Sequence, residues 1–257
     1  MNKTTPKEIE AAAKQTNNVV IQIQHLKKSF GQNTVLNDLN LKIFKGENLV
    51  VLGKSGSGKS VLIKCLVGLI MPEEGSLFML GKNIESLSRE ELNALRKKVG
   101  FLFQSGALYD SMTVRENLLF PLRDIKELSE EEEKRLIEEV LDSVGLEETI
   151  NKMPAELSGG MRKRLGLART IILKPEVMLY DEPTTGLDPI TSREISNLIL
   201  KIQSEYKTTS IIIAHDMACS KLTANRILVL KEGKVGAEGT FEELEKSEDK
   251  DVRAFFQ

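Results

Sequence analysis

With 257 residues, 40% hydrophobic and 29% charged, the chain is long enough for one globular domain carrying an inserted lobe and too apolar to be disordered over most of its length. Its 36 basic and 38 acidic residues leave a net charge of −2, so no overall pull toward nucleic acid or anionic lipid is implied. Two cysteines, Cys65 and Cys219, exclude a disulfide-stapled scaffold and a Cys-rich zinc site; among apolar neighbours they read as buried small hydrophobes in a reducing compartment.

Residues 1–18 are polar and include Pro6, and they read as a flexible N-terminal extension. From there the pattern alternates, with Val19, Ile21 and Ile23 set against Gln22 and Gln24, which predicts a half-buried strand. A second strand through Leu39, Leu41 and Ile43 follows a turn near Gly31–Asn33. The run Asn48–Leu52, closed by Gly53, reads as a strand buried on both faces, as parallel sheets require. Similar short runs recur at Val99–Phe103, Val177–Tyr180, Ser210–Ala214 and Ile227–Leu230. Helical patterns separate several of them, so an α/β domain with a parallel sheet is expected. Between about 105 and 160 no strand pattern appears. There, Glu127–Gly145 has helical period, with Leu136, Ile137, Val140, Leu141 and Val144 on one side. The stretch is expected to form an inserted helical lobe, with Glu130–Glu133 as a solvated helix start favoured by the helix dipole. The domain is expected over 19–240 and a tail over 241–257. No apolar run reaches the roughly 18–20 residues that span a bilayer; the longest, Val61 to Met71, is broken by Lys64. The N-terminus lacks the apolar centre of a secretory signal. The chain reads as cytoplasmic, and any membrane role has to come through a partner.

After the Leu52 strand comes Gly53-Lys54-Ser55-Gly56-Ser57-Gly58-Lys59-Ser60, followed by the apolar helix Val61, Leu62, Leu66 and Leu69. This is G-x-x-x-x-G-K-S between a strand and a helix, the context in which it binds nucleoside triphosphates. The glycines let successive backbone N–H groups turn inward around an anion, and the new helix presents its unpaired N–H groups to the same anion. Lys59 supplies a point charge for the outer phosphates, and Ser60 an oxygen ligand for Mg2+. Later, Val177–Tyr180 ends in Asp181 and Glu182. The carboxyl edge of a parallel sheet is where such folds bind ligands. Adjacent strand residues point opposite ways, so Asp181 is expected to hold the Mg2+ shell and Glu182 to face the γ-phosphate and its attacking water.

Leu157-Ser158-Gly159-Gly160-Met161 resembles the LSGGQ signature of the ATP-binding subunits of ABC transporters, with Met in the last place, and the similarity runs through about residues 19–240. The resemblance implies a P-loop NTPase (RecA-like) core with an N-terminal antiparallel β subdomain and an inserted α-helical subdomain. It implies ATP and Mg2+ as ligands. Phe30 matches the aromatic residue that stacks on adenine, usually Tyr in the family; Gln104 matches the Q-loop glutamine, a further Mg2+ ligand beside Ser60 and Asp181. Asp188 falls in a D-loop, Thr185-Gly186-Leu187-Asp188, and His215 matches the switch histidine. Glu182, His215 and Gln104 are thus the expected catalytic set, while His25 reads as a structural strand histidine. Members pair head to tail as homodimers, the signature of one subunit facing the phosphate loop of the other. Ser158-Gly159-Gly160 opens a helix expected over Arg162–Ile172, a second helix start able to meet phosphate. Met161 forgoes a glutamine hydrogen bond but leaves Ser158 and the backbone N–H groups.

The wording FQSGALYDSMTVREN, LSGGMRKR and YDEPTTGLDPITS is most similar to ATPases of lipid-transport systems that work with MCE-domain proteins, the Mla type among them. This implies phospholipid cargo, integral-membrane permease subunits, an MCE-domain lipid-binding protein, and a peripheral position on the cytoplasmic face of the inner membrane, with no nucleic-acid partner. Within the stretch after Gln104, Leu108, Tyr109, Met112, Leu118, Leu119 and Phe120 offer an apolar groove for a permease helix beside their core roles. The alternatives are a transporter ATPase for another solute, or a soluble ABC ATPase acting on ribosomes or DNA. Ribosome-acting members usually carry two ATPase units, and DNA-end members a long coiled-coil insertion; this chain has one unit and a short gap between Gln104 and Leu157. A non-catalytic nucleotide sensor is disfavoured by intact Lys59, Asp181, Glu182 and His215.

Overall fold

Strands β1 (Val19–Phe30) and β2 (Asn33–Phe44) pair antiparallel, with Ile23 opposite Leu41 and Leu26 opposite Leu39. The alternation seen in sequence puts Ile21, Ile23, Leu39, Leu41 and Ile43 inside. In this computed structural model residues 18–125 and 128–256 are described. The extension expected over 1–18 therefore lies outside the described residues apart from Asn18, as does Glu127. β4 (Glu74–Met79) adds to β1, and a short β5 (Lys82–Asn83) completes an antiparallel sheet in the order β2-β1-β4-β5. Sequence reading missed β4, whose first half, Glu74-Gly75-Ser76, is a poor strand former held by pairing with β1.

The second sheet runs β10-β9-β3-β8-β7-β6, from β3 (Asn48–Leu52), β6 (Val99–Leu102), β7 (Val177–Asp181), β8 (Thr209–Ile213), β9 (Arg226–Lys231) and β10 (Lys234–Gly239). Five strands are parallel and β10 pairs antiparallel at one edge. Every residue of β3 and β8 is buried, so both faces of the sheet carry apolar side chains. Leu49, Val51, Leu179, Ile211 and Ile213 pack toward the antiparallel sheet, and Val50, Leu52, Tyr180 and Ile212 toward the helical side. β10 was also missed; none of Lys234–Gly239 is fully buried, and its strand state comes from β9.

Helix α1 (Lys59–Leu66) follows β3, and α2 (Arg89–Arg96) precedes β6. Between β6 and β7 the chain forms α3 (Val114–Leu119), α4 (Glu130–Val144), α5 (Gly159–Ile171) and short 3-10 turns. α4 begins with a capping box: Glu132 N–H donates to Ser129 Oγ at 3.3 Å and Ser129 N–H to Glu132 Oε2 at 2.9 Å. Its buried face is Ile137, Val140, Leu141 and Val144. α6 (Pro189–Tyr206) and α7 (Met217–Thr223) flank β8. The segment set apart in sequence as a tail carries α8 (Phe241–Glu245) and α9 (Lys250–Arg253). Phe241, Leu244 and Val252 are buried in the same core as Leu165 and Tyr180, so packing does not stop at residue 240. Among the described residues no helix is long and apolar enough to cross a membrane.

Candidate functional site

The strand β3 delivers the loop 53–58 to the start of α1 as the sequence order requires. Gly53 is needed for close approach: a Cβ there would lie 2.5 Å from Ser57 Oγ and 2.6 Å from Leu230 O. Gly58 precedes α1 at φ 106°, and a Cβ would stand 2.8 Å from Val35 O. With no side-chain cap at Gly58, the first N–H groups of α1 are left for an anion. Lys59 Nζ donates to Gly53 O at 2.7 Å and Lys54 O at 3.0 Å, bracing the loop from inside. Burial holds its pKa below the usual lysine value, while Glu182 and Asp181 oppose that shift. Ser60, one residue further, is exposed at the helix start.

Strands β6, β7 and β8 are neighbours, with Leu102 beside Tyr180 and Tyr180 beside Ile212. The residues just past their carboxyl ends therefore meet. Glu182 Oε2 accepts from Gln104 Nε2 at 3.2 Å and from Thr185 Oγ1 at 3.0 Å, while Glu182 Oε1 lies 3.0 Å from His215 Nε2. Strand alternation is not what separates the two acids, as sequence reading expected. Asp181 is the last residue of β7, whereas Glu182 has left the strand at φ 50°, its N–H donating to Ile213 O at 3.0 Å. Burial raises the Asp181 carboxyl pKa, and the neighbouring Glu182 charge adds to it.

Among the described residues no three His, Cys, Asp or Glu side chains form a metal cage. Mg2+ needs none, since it takes one or two carboxylates and fills its shell with phosphate and water. Ser60, Asp181 and Gln104 offer a hydroxyl, a carboxylate and an amide oxygen, all hard donors that fit this ion.

The signature stands at the start of α5, three residues earlier than the helix start expected from sequence. Ser158 caps it, Oγ accepting from Met161 N–H at 3.2 Å, and Leu157 is buried. Gly160 lies where a Cβ would come 2.6 Å from Thr191 Cγ2, so α5 and α6 approach closely there. Met161 packs partly buried against the core. Among the described residues no hydrogen bond joins 157–161 to 53–60. Asp188 caps α6, accepting from Ile190 N–H at 3.0 Å and Thr191 N–H at 3.1 Å; the Thr191 hydrogen bonds keep its carboxyl below the usual range. Phe30 ends β1 half exposed, with Lys28 Nζ 5.3 Å from the ring centre. His25 sits exposed at an irregularity of β1, its Nδ1 2.7 Å from Asp38 Oδ1.

Two residues escaped sequence reading. Asn117 is fully buried; its Nδ2 donates to Tyr109 O, Met112 O and Thr113 O at 3.0–3.1 Å, and its Oδ1 accepts Tyr109 N–H at 2.9 Å, which shapes the loop before α3. Lys163 is buried on α5 and donates to Gln104 O and Glu182 O. The signal was present in both cases: a polar residue spaced three or four from apolar ones on a helix face, Asn117 after Val114 and Lys163 before Leu167. Of the apolar set after Gln104, Leu118 is buried, while Tyr109 and Phe120 stay exposed with ring centres 4.5 Å apart.

The family model described as ABC transporter matches residues 36–185. A probable ribonucleotide transport ATP-binding protein, mkl of Mycobacterium leprae, is 40% identical over 92% of this chain and 68% of its own length. The intermembrane phospholipid transport system ATP-binding protein MlaF of Haemophilus influenzae is 38% identical over 94% of this chain and 91% of its own. Among solved structures, the ATP-binding cassette MJ0796, dimeric in a post-hydrolysis state with ADP and Pi, superposes with a TM-score of 0.78 at 31% identity, over 86% of this chain and 98% of that one. The matched segment runs from β2 through the phosphate loop and past Glu182, and the chain accordingly belongs to the ABC transporter family as an ATP-hydrolysing ATP-binding subunit.

Proposed function

We propose that this subunit hydrolyses ATP in a site completed by a second copy of itself, and that the cycle drives a membrane permease moving phospholipid with an MCE-domain partner. The observation that carries the hydrolytic part is the convergence of Gln104, Thr185 and His215 on the Glu182 carboxylate. In this reading the phosphate loop 53–60 and Lys59 hold the triphosphate, and Phe30 stacks on adenine. Glu182 accepts the proton of the attacking water, and His215 and Gln104 orient that carboxylate. Bound Mg2+, held by Ser60, Asp181 and Gln104, would neutralise charge on the outer phosphates. The capped start of α5 at Ser158 meets the nucleotide of the partner copy. Pairing is then controlled by the γ-phosphate, which stabilises the closed dimer and is removed by hydrolysis.

The cargo reading rests on the likeness to MlaF over nearly the whole of both chains and on the exposed Tyr109–Phe120 pair, a small apolar platform for a permease helix. The subunit sits peripherally on the cytoplasmic face of the inner membrane in this reading. The likeness to mkl, named for ribonucleotide transport, keeps a polar solute as the second reading. Affinity purification of the native complex separates them. Recovery of a permease, an MCE-domain protein and bound phospholipid is expected. Recovery of a permease with a solute-binding protein for a polar solute would overturn the lipid reading and leave the ATPase reading intact.

A further inference from the structure

Among the described residues, the proposed hydrolytic cycle leaves one buried cation unused. Lys163 on α5 is 7% exposed, and its Nζ donates to the main-chain carbonyls of Gln104 and, at 3.4 Å, of Glu182. An ammonium taken out of water costs free energy unless oxygen acceptors and negative charge surround it. Burial lowers the Lys163 pKa, and the charges of Glu182 and Asp181 oppose that shift. The two carbonyls belong to residues whose side chains also meet, Gln104 Nε2 donating to Glu182 Oε2 at 3.2 Å.

Glu182 needs such support. Its φ of 50° is a conformation that a non-glycine residue holds only when its surroundings impose it. The N–H is tied to Ile213 O at 3.0 Å, and the carbonyl to Lys163. A second cation on α5 extends the same arrangement. Arg169 Nη2 donates to Gly106 O at 3.1 Å, and the guanidinium carbon Cζ stands over the Tyr109 ring at 5.5 Å. The loop from Gln104 to Gly106 is thus tied at both ends to the helix that Ser158 opens.

We propose that Lys163 is a positioning residue that locks the main chain of Gln104 and Glu182 to the signature helix, so that the hydrolytic geometry of one site and the signature serving the other site shift together. The inference rests on the reading of Glu182 as base and of Ser158 as a contact to the partner's nucleotide. Releasing Lys163 frees the Glu182 backbone, while the contacts at 53–60 and Phe30 stay in place. Turnover should therefore fall with little change in nucleotide affinity.

The test uses the full chain as wild type, Lys163→Met, Lys163→Arg and Glu182→Gln. Three quantities are read: turnover at saturating Mg-ATP, Kd for a fluorescent non-hydrolysable ATP analogue, and folded fraction by circular dichroism. Lys163→Met should lose roughly ten- to a hundredfold in kcat with Kd within about threefold of wild type, since a displacement near one ångström suffices for that loss. Lys163→Arg, which keeps the charge and the donors, should recover most of the activity. If Lys163→Met does not fold, Lys163→Gln carries the test under the same criteria. Turnover within about twofold of wild type, a loss that only tracks the folded fraction, or an Arg variant no better than Met would overturn the assignment. Glu182→Gln separates the two failures. If that variant turns over normally, the base reading falls whatever Lys163 does; if it is inactive while Lys163→Met is not, only the Lys163 assignment falls.

Discussion

His215 Nε2 lies 3.0 Å from Glu182 Oε1, although the two residues follow different strands. The contact exists because β7 and β8 are adjacent and parallel, with Asp181 beside Ile213. A carboxylate held on both oxygens, by His215 on one side and by Gln104 and Thr185 on the other, has a defined direction. Glu182→Gln keeps the shape but accepts a proton poorly, so turnover should drop by about 10²–10⁴-fold while ATP binding persists. Size-exclusion chromatography with Mg-ATP should then show a dimer. Turnover near wild type would refute Glu182 as base.

Lys59→Ala should act earlier in the cycle. Its Nζ is positioned inside the loop by Gly53 O and Lys54 O, and in the proposed site it carries the charge for the phosphates. Loss of a charge-assisted contact of about 1.5–3 kcal/mol corresponds to roughly ten- to a hundredfold weaker ATP binding. Equilibrium binding of a fluorescent ATP analogue reads it, and an unchanged Kd would remove Lys59 from the site.

Gly58→Ala combines two faults, a left-handed φ of 106° and a Cβ 2.8 Å from Val35 O. It should destabilise the loop by more than about 1 kcal/mol and weaken nucleotide binding with it. Thermal melts with and without Mg-ATP check this: the variant should lose most of the stabilisation that ATP gives the wild type. An undiminished ligand-induced shift would show that the loop tolerates the side chain.

The parts legible in the sequence were those whose residues carry their own signal. β3 and β8 carry the apolar runs Leu49–Leu52 and Ile211–Ile213 because both faces of the central sheet are covered. The phosphate loop was legible because its glycines and Lys59 answer a purely local demand for backbone N–H groups and charge. β4 and β10 were not, since Glu74-Gly75-Ser76 and Lys234–Gly239 become strands through their partners. The separation of Asp181 from Glu182 was expected from strand alternation and arises instead from the turn at φ 50° after β7. Backbone twists imposed by tertiary contacts, Ile213 O and Lys163 among them, leave no periodicity to read.

The exposed pair Tyr109 and Phe120 gives the permease reading its own test. A charge at Tyr109 or Met112 should abolish co-purification of the permease and leave nucleotide binding unchanged, because the partners of these residues are Phe120 and Asn117 rather than the loop 53–60. Retained co-purification would move the docking surface elsewhere.

In the proposed cycle one nucleotide is served by two copies of the chain, Lys59 and Glu182 from one and Ser158 from the other. Mixing Lys59→Ala subunits with Ser158→Arg subunits tests it directly, by ATP turnover measured against protein concentration. Each variant alone should be inactive. The mixture should regain turnover that rises with concentration, because the heterodimer contains one site with an intact phosphate loop and an intact signature. A mixture as inactive as its parents, or wild-type activity from a strictly monomeric species independent of concentration, would contradict the shared site.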